Sequence, residues 1–277
     1  MTDAAINAVL RRDRTIVLSA IVAITGLAWA YVLWLAANMD MGSSMGSSMG
    51  TSMGKGMSGM GAMLEPAFRP WSLADFAFMF VMWAVMMVGM MMPSVIPMVL
   101  LYASVGRKAA ESGRPLAATG WFVAGYLLAW TAFSLAATVA QWQLSRLALI
   151  TPMMSSAGDL FGGLVLLSAG LYQWSPLKYA CLTHCQSPLG FLISRGGFSA
   201  SPWGSLKLGA EHGTFCVGCC WVLMALLFVG GVMNLLWIAG LTIFVLLEKI
   251  IPAGRLVPRL AGAAMAAAGL FLLYRAF

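Results

Sequence analysis

Apolar residues run along this chain in long unbroken blocks, without the alternation or amphipathic spacing of a soluble fold. Seven blocks stand out: Ile16–Ala37, Leu73–Met92, Leu116–Val139, Leu160–Trp174, Cys216–Val232, Leu235–Leu247 and Leu260–Tyr274. Crossing a hydrocarbon core of roughly 30 Å takes about 20 helical residues, so each block predicts a membrane span. The fourth and sixth are short and need flanking residues to complete one. Backbone groups in lipid must bond internally, and the blocks lack the period-two alternation of a barrel strand. The expectation is an all-α, polytopic integral membrane protein with about seven transmembrane helices, forming a single membrane domain over residues 1–277.

Composition strengthens this reading. Hydrophobic residues make up 61% of the chain and charged ones 9%, against about 25% charged in soluble domains. The first block follows Arg11, Arg12 and Arg14. It is longer than the roughly 7–15 residues of a signal-peptide core, and Trp34-Leu35-Ala36-Ala37 shows no clear cleavage pattern, so residues 16–37 read as an uncleaved anchor. With seven spans, twelve of the 16 Lys and Arg residues fall on one side, in the stretches around Arg11, Arg107, Lys178 and Lys249. Cytoplasmic loops keep such an excess, which places the N-terminus in the cytoplasm and the chain in the inner (cytoplasmic) membrane as a multi-pass protein. The net charge of +7 follows from this loop bias and calls for the lipid bilayer as partner, with no nucleic acid. There is no phosphate-binding Gly-x-x-x-x-Gly-Lys-Ser/Thr run and no plausible acid–base pair in a soluble pocket, so neither an ATP-driven pump nor an enzyme is expected.

Three regions carry chemistry that insertion alone does not demand. The external segment 38–71 sets Met41, Met45, Met49 and Met53 at four-residue steps in Gly and Ser. Such a background builds no core, so these methionines are not packing residues. Their thioethers are soft ligands suited to Cu(I), the alternative being a low-complexity linker in which Met is incidental. The second span carries Met82, Met86 and Met90 in one helical stripe and Met87 with Met91 in the next, either as a sulfur path or as adaptable packing. Pro93 and Pro97 remove backbone donors and predict a kink.

The third region holds all five cysteines and both histidines. Cys181, His184 and Cys185 lie in a cytoplasmic Cys/His loop, 175–215, whose end leads into the fifth span with His212, Cys216, Cys219 and Cys220. Ser201-Pro202 reads as an N-cap followed by proline at the first helical position. On that helix His212, Cys216 and Cys220 share one face, with Cys219 beside them. Thiolates favour Cu(I) or zinc. The Cys216-x-x-Cys219 spacing also fits a redox pair, against which stands a cytosolic position where thiols stay reduced. Gly162-Gly163 and Gly230-Gly231 are expected points of close helix approach. Glu248-Lys249 ends the sixth span, either as an interfacial anchor or as a functional pair.

Met82-Trp83…Met90-Met91-Met92-Pro93, Cys181-Leu182-x-x-Cys185, His212-Gly213-x-x-Cys216-x-Gly218-Cys219-Cys220-Trp221 and Glu248-Lys249 together resemble the predicted metal-binding integral membrane proteins. That family includes the membrane helper delivering copper to a bacterial tyrosinase. The resemblance covers a six-helix core over 72–275 and leaves the Met-rich segment outside. It implies copper handling and a copper-dependent client such as a tyrosinase-like oxidase. Ligand softness and resemblance converge on a membrane copper chaperone. A passive Cu(I) channel and a membrane thiol oxidoreductase are the alternatives.

Overall fold

The computed structural model describes residues 15–37, 71–112, 118–150, 156, 158–251 and 256–277. Among these the regular elements are helices: α1 (Thr15–Ala37), then α2 (Leu73–Glu111), α3 (Thr119–Arg146), α4 (Asp159–Gln173), α5 (Pro176–Gln186), α6 (Pro188–Ser194), α7 (Pro202–Ala225), α8 (Leu227–Gly230), α9 (Leu235–Ile250) and α10 (Leu256–Ala276). The expected all-helical architecture holds. The Met41, Met45, Met49 and Met53 segment lies outside the described residues.

Short polar signals start the helices. At α2, the Asp75 N–H donates to Ser72 Oγ at 3.2 Å while Asp75 Oδ2 accepts from the Ser72 N–H at 2.9 Å, a reciprocal cap. Ser-Pro pairs open α5, α6 and α7, with proline where an amide donor is not needed. Ser175 Oγ and Ser201 Oγ accept the amides of Lys178 and Gly204 at 3.1 and 3.0 Å. The connecting stretch 175–215 folds as α5, α6 and the first half of α7, the last beginning at the expected Ser201-Pro202 start.

Among the described residues, five helices are long and apolar enough to cross a membrane: Thr15–Ala37, Leu73–Arg107, Thr119–Arg146, Pro202–Gly230 and Leu256–Ala276. The expected fourth and sixth spans correspond to α4 and α9, with 15 and 16 residues. At 1.5 Å per residue they reach roughly 22–24 Å, short of a full hydrocarbon core. Outward-facing leucines clothe the helices, with Leu27 72%, Leu128 53% and Leu270 57% exposed, a surface suited to lipid.

Glycines bring two helix pairs into backbone contact. A Cβ on Gly125 would strike the Leu206 carbonyl, and one on Gly209 the Phe122 carbonyl, so α3 and α7 lie against each other. Gly163 and Gly170 similarly face the backbone of Gly269 and Gly262, joining α4 to α10. Of the approaches expected from sequence, Gly163 meets α10 and Gly230 lies under the Trp237 ring.

Candidate metal centre

Helix α7 supplies the thiols. Its early start at Pro202 places His212, Cys216, Cys219 and Cys220 in one continuous helix, and all four are buried. Cys219 and Cys220 donate their S–H groups to the Cys216 carbonyl at 3.1 and 3.0 Å. From α5, Cys185 directs its thiol at the Cys216 and Cys219 sulfurs. These hydrogen bonds, followed by burial, hold the Cys185 thiol well above its usual pKa. Cys181, one turn earlier, packs on Gly218, and burial pushes its thiol up as well. Four thiols, on two helices, therefore meet at one place.

Around Cys216 the other helices close in. Lys249 Nζ from α9 donates to Cys216 Sγ at 2.8 Å and to Ser94 Oγ of α2 at 3.1 Å, and stands 3.9 Å from Met91 Sδ. The Tyr126 hydroxyl of α3 lies 3.1 Å from Cys216 Sγ and donates to the Met91 carbonyl at 3.2 Å. Met91 is thus the member of the methionine stripes seated beside the thiols. Met86 and Met90 instead line a small cavity together with Ala28, Trp29 and Val32 of α1 and Ile238 of α9, and Met82 and Met87 are fully enclosed.

The residue before Lys249 makes a second buried ion pair. Glu248 Oε2 accepts from Lys178 Nζ at 2.7 Å, both side chains 2% exposed. This excludes the interfacial-anchor reading of Glu248-Lys249. It also settles the charge accounting. A buried ammonium without a counter-charge costs several kcal/mol. Glu248 is engaged by Lys178, so the group facing the Lys249 ammonium is the Cys216 sulfur.

The two histidines are packed among aromatic rings. His212 is enclosed by the rings of Phe122, Tyr126 and Phe191, and its Nδ1 has no hydrogen-bond partner among the described residues. His184 stacks on Phe215 with centroids 4.3 Å apart, its Nδ1 2.7 Å from the Ala180 carbonyl. Among the described residues, no three His, Cys, Asp or Glu side chains are already spaced to grip a metal ion. The reason is visible in the contacts: Lys249 occupies the Cys216 sulfur, and Cys219 and Cys220 turn onto a carbonyl. The sulfur atoms are gathered but internally engaged.

Sequence reasoning located the cysteines and Met91 but not Tyr126, Ser94 or Lys178. Lys178 carried one signal, a lysine one turn ahead of Cys181 on the same helix. Tyr126 and Ser94 carried none.

Residues 80–272 match the PpoB2 family, described as a copper chaperone. No curated protein and no solved structure matches the chain.

Proposed function

We propose, for a chain that belongs to the PpoB2 copper-chaperone family, that Cu(I) is carried as cargo on the thiols of Cys216, Cys219, Cys220 and Cys185, with Met91 as the neighbouring soft donor. The observation that carries this reading is the meeting of four thiols and a thioether where α2, α5, α7 and α9 converge. Cu(I) prefers such sulfur donors and accepts low coordination numbers, so it can pass between sites by exchanging one ligand at a time. Cys181 is the outlying thiol through which metal enters or leaves the cluster. His212, four residues before Cys216, is the remaining donor within reach of a small rearrangement.

In this reading the protein lies in the inner membrane with its N-terminus cytoplasmic. The methionines at 41, 45, 49 and 53 gather copper outside, and Met91 of α2 is the thioether next to the Cys216 site. The thiol cluster releases the metal to a copper-dependent enzyme such as a tyrosinase-like oxidase. The chain carries metal and catalyses no reaction of its own.

The test is Cu(I) binding by the detergent-purified full chain, followed by competition with a chromophoric chelator. Cys216→Ser preserves side-chain size and should lower Cu(I) affinity by roughly tenfold or more, because an opened ligand shell admits weaker donors. Wild-type affinity and stoichiometry in that variant would make the cluster a packing feature and remove the basis of the reading.

A further inference from the structure

The thiol cluster contains a fixed positive charge, and metals differ in how well they tolerate one. We propose that Lys249 is a specificity-determining residue that selects monovalent copper over divalent zinc at the thiol cluster. This inference rests on the copper-binding reading given above.

Lys249 Nζ lies 2.8 Å from Cys216 Sγ and 3.1 Å from Ser94 Oγ, in a residue 7% exposed. Lysine has three N–H donors and no acceptor, so it cannot itself become a ligand while charged. Among the described residues its neighbours offer no alternative counter-ion, since Glu248 is joined to Lys178 at 2.7 Å. The resting pair is therefore one ammonium and one thiolate, neutral as a unit.

Cu(I) is satisfied by two thiolates, and that complex carries one negative charge. The exchange balances as follows. A Cu(I)–sulfur bond to the incoming carrier breaks, the carrier sulfur keeping its electron pair, and a bond to Cys216 forms. A second thiol, Cys185 or Cys219, loses its proton to solvent and becomes the other ligand. The ammonium leaves the Cys216 lone pair but stays on Ser94 as the counter-ion of the complex. The unit is again neutral.

Zinc with the same two thiolates is neutral by itself, which leaves the buried ammonium uncompensated beside a divalent ion. Restoring balance needs a third thiolate, hence one more buried thiol deprotonated than Cu(I) requires. A single buried cation thus favours the metal whose dithiolate is an anion.

The experiment measures Cu(I) and Zn(II) affinities separately, by chelator competition, on the full chain and on Lys249→Gln, Lys249→Leu and Lys249→Arg. Removing the charge should raise zinc affinity relative to copper by about tenfold or more, while Lys249→Arg keeps the wild-type ratio. Structural damage alone would weaken both metals together, so the ratio separates the two effects. An unchanged ratio in both neutral variants, with copper still bound through Cys216, would overturn this inference and leave the copper-carrier reading standing. Loss of copper selectivity in Lys249→Arg as well would also overturn it. Wild-type protein that binds neither metal through Cys216 would overturn both readings, and Cys216→Ser identifies that case.

Discussion

Lys178 and Glu248 face each other at 2.7 Å across the α5–α9 contact, 70 residues apart in the chain and shielded from solvent. The pair fastens the helix that bears Cys181 and Cys185 to the helix that bears Lys249. It therefore acts on the cluster without touching it.

Breaking this pair on one side should be costly. Lys178→Met or Glu248→Gln alone should destabilise the fold by about 3–5 kcal/mol, since each leaves a buried charge unpaired. The double substitution should recover much of that loss, because no charge remains to be desolvated. Thermal unfolding of the four proteins in detergent completes the cycle, and simple additivity of the single effects would argue against a direct pair.

A packing prediction concerns the α3–α7 seam. Gly209→Ala should destabilise by about 2–3 kcal/mol, because its methyl group meets the Phe122 backbone and not a side chain that can turn aside. Gly240→Ala, with nothing within 4 Å of the added carbon, is the control and should be neutral or slightly stabilising through helix propensity.

Copper affinity should depend on pH with a definite sign. The Cys185 and Cys181 thiols are both held above their usual range, the first by hydrogen bonds to Cys216 and Cys219, the second by burial. At neutral pH they carry their protons, and a thiol must lose its proton to bind Cu(I). Affinity should therefore fall as pH drops, about tenfold per pH unit for each proton shed, and level off only above the raised pKa. Competition titrations at about pH 6, 7 and 8, referenced to a chelator of known proton dependence, give the slope. A flat profile would mean that neither thiol is recruited.

Replacing Met41, Met45, Met49 and Met53 by leucine should lower copper capture several-fold at limiting copper and have little effect at saturation, since tethered thioethers act through local concentration. Uptake measured across a copper series distinguishes these outcomes. Equal responses at all concentrations would make the segment a linker.

Much of this architecture was readable in the chain because lipid imposes one dominant rule, that apolar length predicts a span. The rule worked for α1, α2, α3, α7 and α10. At α4 and α9, whose apolar blocks were already short in the sequence, the helices have 15 and 16 residues. The stretch over 175–215 read as a loop because its mean polarity masked three Ser-Pro starts, of which Ser201-Pro202 alone was recognised. The thiols were legible because cysteine and histidine clustered in two short segments. Their partners were not: Tyr126 lies 90 residues from Cys216 and Lys249 lies 33, and no local pattern encodes which side chain will face which across a helix bundle. The surroundings of His212 were hidden for the same reason, since helical phase gives its face but not the rings of Phe122, Tyr126 and Phe191 that enclose it.

The two charges that end α9 also bear on how the protein is made. A charged side chain in a membrane segment raises the free energy of insertion by up to about 3 kcal/mol, and less towards a helix end. A 16-residue helix carrying Glu248 and Lys249 is therefore a poor candidate to enter the bilayer alone. Synthesis runs from the N-terminus, so Lys178 and Cys216 have emerged before either charge does. Each charge then meets a waiting partner, and α9 joins a bundle whose earlier helices prepared its place, with α10 still to follow.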